Sequence, residues 1–170
     1  SGLASGAYEQ VAKKRLTAEA NAKQEEEQLQ QLHEKTLMVE DMADYKSKSF
    51  DMIAQNREQY KKNPKLGAEV LEEGLRDLGA NYGETFSAVN REQFRLNQES
   101  AISTFNMQQK EWAHTQTKKN IQENITNTGK SYLNRSAKAG AEGNFEEMAE
   151  IASDIRAFSN VKGVNPKYIE

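Results

Sequence analysis

His33 and His114 are the side chains in this 170-residue sequence whose ordinary pKa suits proton transfer near neutral pH. Neither stands in the His-Glu-x-x-His spacing that puts two imidazoles on one helix face around zinc, because His33-Glu34 runs on into Lys35, Thr36 and Leu37. Each lies in a different long helix-compatible run. The pair would meet only across a hairpin of those runs; otherwise both are surface histidines. Glu25, Glu26 and Glu27 supply adjacent carboxylates, but successive helix positions point about 100° apart, so the three splay and do not converge on a cation. Glycine-rich phosphate loops and the Gly-x-Ser-x-Gly elbow are missing. The absence of cysteine excludes thiolate metal sites, Cys nucleophiles and disulfides. No residue is singled out as catalytic, cofactor-binding or metal-ligating, and the chain is read as a non-enzyme with no cofactor and no small-molecule substrate.

The balance of charge narrows the partners. A formal net charge of −3 argues against a dedicated nucleic-acid binder, which needs clustered Lys and Arg for phosphates. Between Lys110 and Lys138, however, Lys110, Lys118, Lys119, Lys130, Arg135 and Lys138 face only Glu111 and Glu123. This stretch is either a weak basic patch, able to touch DNA without sequence preference, or a solvated helix face. Asn124-Ile-Thr126 and Asn134-Arg-Ser136 match the glycosylation pattern, which arises by chance in a chain with fourteen Asn. No apolar run approaches the roughly 18 residues of a membrane span, and no signal peptide is present.

The elements that must position any site are helices. Hydrophobic residues make up 36% of the chain, too little for a large central core, while the thirteen Gln and fourteen Asn give it wet faces. Two prolines, abundant Ala, Glu, Gln and Lys, and no alternating apolar run predict an all-α fold. Ala7 to Lys62 contains neither Gly nor Pro and predicts one helix of roughly 80 Å. Its apolar residues fall on a drifting 3–4 stripe, Leu29, Leu32, Thr36, Val39, Ala43, Lys46, Phe50, Ile53, Arg57 and Tyr60, in which Thr, Lys and Arg spoil a strict heptad. A second line, Met38, Met42, Tyr45 and Met52, widens that face. Before Leu29 the stripe thins, so the first part is read as a projecting arm where assembly contacts belong.

Asn63-Pro64 predicts a hinge and cap, followed by a short helix, Lys65 to Leu78. Gly79 to Gly83 predicts a turn, and Glu84 to Asn127 a second long helix. Thr128-Gly129 predicts a break or kink, then a helix pair: Lys130 to Ala139, a turn at Gly140 to Gly143, Asn144 as cap, and Phe145 to Phe158. The economical arrangement is an elongated antiparallel hairpin of the two long helices, with the short one as connector and a C-terminal helical hairpin. The expected packing seam is Leu29, Leu32, Val39, Phe50, Ile53, Tyr60, Phe94, Phe105 and Trp112. Trp112→Ala would then cost roughly 3–5 kcal/mol. The chain is read as one module, with an arm over 1–28, the long hairpin over 29–127 holding the short helix 65–78, and the small hairpin over 130–158. The small, flexible opening Ser-Gly-Leu-Ala-Ser-Gly and the uncapped ending Asn-Pro-Lys-Tyr-Ile-Glu suggest a piece of a longer protein.

Three resemblances add to this. Glu99-Ser100 is similar to the Glu-Ser pair of lytic transglycosylases, whose glutamate is the general acid, but the Gly-rich, Met-Gln-containing loop that lines their sugar cleft is missing. The run AKAGAEGNFEEM resembles half of a tetratricopeptide-type repeat, though one copy makes no solenoid. Third, FDMIAQNREQYKKNPKLGAEVLEEGLRDLGANYGETF, NREQFRLNQESAISTFNMQQKEW and SAKAGAEGNFEEMAEIASDI, in that order, resemble the helical internal virion or DNA-ejection proteins of short-tailed bacteriophages over roughly Lys46 to Phe158. The last resemblance implies a virion structural protein that leaves the particle with the genome. It would assemble with its own copies and sister virion proteins into a DNA conduit across the host envelope or periplasm. The alternative is a generic coiled-coil scaffold or adaptor, cytoplasmic, that binds partner helices.

Overall fold

The computed structural model describes residues 2–161. They form four helices, α1 (Gly2–Gln59), α2 (Pro64–Gly79), α3 (Ala88–Ala141) and α4 (Phe145–Ser159), and no strand occurs among the described residues. The ending expected to be uncapped, Asn165 to Glu170, lies outside them. Gly2 and Gly6, expected in a flexible opening, belong to α1.

The punctuation follows local chemistry. Asn63 caps α2, its side chain accepting from the Leu66 N–H at 3.5 Å and its carbonyl from the Gly67 N–H at 3.1 Å. Gly83 (φ 80°) and Gly143 (φ 70°) take the left-handed backbone their turns require. Asn144 caps α4 reciprocally: its side-chain oxygen accepts from the Glu147 N–H at 3.1 Å while its amide donates to the Glu147 carboxylate at 3.1 Å. The break expected at Thr128-Gly129 is absent, and Gly129 is a buried residue inside α3. Glycine inside a helix costs only about 1 kcal/mol, too little to stop a helix whose face is packed there.

The chain divides into two compact units, Ser1–Ala54 with Leu71–Phe105 and Gln55–Val70 with Asn106–Glu170. These boundaries cut through α1, α2 and α3 and do not follow the segments expected from the sequence.

In the first unit Tyr45, Ile53, Leu71, Leu75, Ile102 and Phe105 form the core, with Met42, Met52, Leu78 and Tyr82 packed against it. The Tyr45 hydroxyl donates to the Leu75 carbonyl at 3.0 Å, and Gln98 Nε2 donates to the Gly79 carbonyl at 3.0 Å, so side chains of α1 and α3 satisfy carbonyls in the last turns of α2. Phe94 meets Phe86 edge to face at 5.6 Å and stacks with Tyr82 at 6.2 Å.

In the second unit Asn56, Gly67 and Gln109 bring the ends of α1 and α2 against α3. Farther along, Asn120 Nδ2 donates to the Lys61 carbonyl at 2.9 Å. α4 folds back on the last turns of α3: Tyr132 lies 5.8 Å from Phe158 and Met148 covers Gly140, around the buried Ala139 and Ile151.

The antiparallel pairing expected for the long helices is corrected by these contacts. In the first unit Glu34 of α1 meets Ser87 and Asn90 at the start of α3, and Phe50 meets Phe105 at 5.3 Å, so partners advance together along both helices. Asn56 with Gln109 and Lys61 with Asn120 repeat that order in the second unit. The physical reason is α2. At 16 residues, or about 24 Å, it runs back along α1, from Met52 beside Gly74 to Tyr45 beside Gly79, and is not a connector. With α2 running back, α3 must run the same way as α1.

Candidate helix-docking surface

The expected seam separates into three groups. Ile53, Phe94 and Phe105 are buried, Tyr60 and Trp112 are half-buried, and Leu29, Leu32, Val39 and Phe50 are exposed. Burial in α1 follows the second line of residues instead: Met38, Met42, Tyr45, Ser49, Met52 and Asn56 turn inward, Tyr45 and Ser49 completely. The shift has a cause. Ser49 and Asn56 occupy core positions, and a stripe drawn through apolar residues alone passes them by.

Ser49 is satisfied by donating to the Tyr45 carbonyl at 2.7 Å. Asn56 belongs to a relay: Arg57 Nε donates to Gln109 Oε1 at 2.9 Å, Gln109 Nε2 donates to Asn56 Oδ1 at 2.6 Å, and Asn56 Nδ2 donates to the Gly67 carbonyl at 2.9 Å. The relay joins α1, α2 and α3 in the second unit through directional bonds, and Gln109 is fully buried at its centre. Arg57 also lies over the Trp112 ring at 5.6 Å.

Glu34, which sequence reasoning passed over, caps α3 from α1. Its carboxylate accepts from the Ser87 N–H and from Asn90 Nδ2, the latter at 3.0 Å. The Ser87 side chain first, then the Ser87 N–H and Asn90, hold its carboxyl below the usual glutamate value. A Ser at a helix start is a visible signal, but its glutamate partner is 53 residues earlier, beyond any local pattern.

From Gly2 to His33 no residue of α1 is buried, although Leu3, Tyr8, Val11, Leu16, Leu29 and Leu32 lie along it. This bare stretch leads into a groove of about 570 Å³ in the first unit, between α1 and α3. Buried Phe94 and half-buried Met38 and Met42 form its apolar floor, and the exposed Lys35, Val39, Lys46, Gln93 and Asn97, with Asn90, its rim. An apolar trough of this kind, rimmed by long polar side chains, has the anatomy of a helix-in-groove site.

The other candidates do not form a site. His33 and His114 are each exposed, on α1 and α3 respectively. Glu99 is held by Arg76 at 2.6 Å as a strut between α2 and α3. Lys110, Lys118, Lys119, Lys130, Arg135 and Lys138 are all exposed on α3, but at about 100° per residue they spread around the helix and share no single face. A second hollow, of about 320 Å³, is lined by Arg76, Arg91 and Arg95. Each of the three is already committed, Arg76 to Glu72 and Glu99, Arg95 to Glu92, and Arg91 to the Glu84 and Phe86 carbonyls. Among the described residues no group of three or more His, Cys, Asp or Glu is placed to hold a metal ion, and no helix is long and apolar enough to cross a membrane. Comparison with protein-family models, curated proteins and solved structures gives no match to this chain.

Proposed function

We propose that the chain is a non-enzymatic structural module that assembles by docking helices along α1. One observation carries this reading: residues 2–33 form continuous helix with none of their side chains buried, although large apolar residues recur along them. A helix in a folded protein takes most of its stability from packing an apolar face. For this stretch that packing must come from another chain or another part of a longer protein.

The resemblance supplies the specific setting: a virion protein released with the genome, whose copies and sister proteins build a conduit for DNA. The amide-rich second unit and the lack of disulfides suit a protein that must unfold and refold on the way. A cytoplasmic scaffold binding partner helices would use the same surface.

Sedimentation and electron microscopy of the longest natural form of the protein test these readings. Rings or tubes support the conduit, a small closed complex with a partner helix supports the scaffold, and a monomer at every concentration and with every sister protein overturns the assembly role. Muralytic activity in the 170-residue chain would overturn the non-enzymatic reading.

A further inference from the structure

α1 carries two stripes, and both keep the coiled-coil period. The inward stripe, Met38, Met42, Tyr45, Ser49, Met52 and Asn56, alternates spacings of four and three. So does an outward one. Tyr8, Ala22, Leu29, Ala43 and Phe50 fall on its a positions, interrupted by Arg15 and Thr36, and Val11, Ala18, Leu32 and Val39 on its d positions, interrupted by Glu25 and Lys46. Because both stripes repeat every seven residues, the angle between them, about 100°, stays constant along the helix. The inward stripe is filled by α2 and α3. The outward one is bare from Tyr8 to Val39, with Tyr8 80%, Leu29 66%, Leu32 63% and Val39 71% exposed, and meets α3 only at Phe50.

The flanking charges specify an occupant. At the e positions every charged residue is acidic, Glu19, Glu26 and Glu40, and at the g positions every charged residue is basic, Lys14 and Lys35. In a parallel coiled coil a g residue faces the e residue five places later on the other helix, which sets Lys14 against Glu19 and Lys35 against Glu40. An antiparallel pair sets e against e and g against g, acid on acid and base on base. Two identical copies in parallel register therefore satisfy both edges at once. The groove extends the match: Lys35 and the amides of Asn90, Gln93 and Asn97 stand on its rim, where the second copy's Glu40 would arrive.

We propose that α1 forms a parallel, in-register homodimer through this outward seam, centred on Leu29 to Ala43, with its lower part seated in the α1–α3 groove. The inference names the partner for the assembly role above and rests on that reading. Glu25 and Lys46, both at d positions, bound the apolar block and meet their own counterparts across the seam. They keep the pair reversible, and Glu25→Leu tightens it.

Cysteine cross-linking tests the register, since the chain has no cysteine of its own. Leu29→Cys and Val39→Cys, made separately, should each give a disulfide-linked dimer under mild oxidation. The two sites are about 15 Å apart along the helix, so an antiparallel pair can bring at most one of them opposite itself. Sedimentation then tests the edges. Lys35→Glu should weaken dimerisation about five- to tenfold, and adding Glu40→Lys should restore it. Leu32→Glu should abolish it with helical content unchanged by circular dichroism.

Cross-linking at only one site, or no rescue by the double charge swap, overturns the parallel register while assembly by another surface stands. A chain monomeric at about 100 µM overturns the homodimer, and the assembly reading then falls only if sister proteins also fail to bind.

Discussion

The two units close around different chemistry. In the first, rings and branched chains fill the space, with Tyr45, Leu71, Leu75 and Phe94 almost wholly buried. In the second, a fully buried glutamine, a buried asparagine and a glycine take their place where α1 and α2 meet α3, and Ala139 and Ile151 are buried where α4 meets α3. Apolar burial contributes roughly 25 cal/mol per Å² and is indifferent to direction. A buried amide contributes little net free energy, but its bonds fix which residue faces which, and leaving one unmade is expensive. The first unit should therefore respond to loss of volume, and the second to loss of partners.

The largest expected effect is Phe94→Ala. It removes a ring that is 2% exposed and in contact with both Tyr82 and Phe86, and should lower unfolding free energy by roughly 3–5 kcal/mol in urea titrations. An effect below about 1 kcal/mol would mean that the aromatic cluster is not the first unit's core. In the second unit Gln109→Ala strands Asn56 Oδ1 and one Arg57 donor, for an expected loss of about 2–3 kcal/mol. Asn56→Leu with Gln109→Leu should recover part of that loss, because neither amide is then left without the other. No recovery would show that the relay contributes more than its pairwise bonds.

Gly67→Ala discriminates packing from propensity. Alanine is the better helix former by about 1 kcal/mol, yet a Cβ at Gly67 would stand 2.6 Å from Tyr60 Cβ and 3.1 Å from Asn56 Oδ1. Tyr60 Cβ sits on the backbone and cannot swing aside, so the net change should be a loss of about 1–2 kcal/mol in thermal melts. A gain would mean that α1 and α2 part easily at this crossing. Trp112→Ala comes next. The half-buried indole under Arg57 should give about 1–2 kcal/mol, less than the roughly 3–5 expected of a core tryptophan.

These differences explain what the residues alone made legible. The all-helical class, the breaks at Asn63-Pro64 and Gly79 to Gly83, and the Asn144 cap are local, written within a few positions of one another, and each is found in the structure. The inward stripe of α1 was half visible through Met38, Met42, Tyr45 and Met52, but Ser49 and Asn56 hid its continuity, because apolar patterning does not register a buried amide. Topology failed for a different reason. Leu66 to Leu78 announced a short amphipathic helix, and only the contacts of Met52 with Gly74 and of Tyr45 with Gly79 show that it runs back along α1. Leu29, Leu32 and Val39 were legible as a seam, but not the facts that no described residue buries α1 before Glu34 and that beyond it α3 packs about 100° away from Val39.

The smallest effect bears on the capping of α3 and sharpens the comparison at its polar margin. Glu34 lies in the first unit yet behaves like the amides of the second, fixing register by accepting from Ser87 and Asn90. Because those bonds lower its pKa in the folded chain, it contributes stability above its unfolded value of about 4.3, and that contribution is lost as pH falls through the lowered folded value. Glu34→Gln should therefore reduce stability at neutral pH and flatten the acid limb of a stability-versus-pH curve, with the two proteins converging at the lowest pH. Asp44, whose carboxyl is held down by Tyr82 and Lys48, and Glu92, held down by Arg95, add acid dependence of the same sign, which should be unchanged in the variant. Urea titrations at a series of pH values measure the difference. Parallel curves at all pH values would mean that the Glu34 carboxylate does not cap α3, and that register in the first unit rests on Phe50, Phe105 and the core alone.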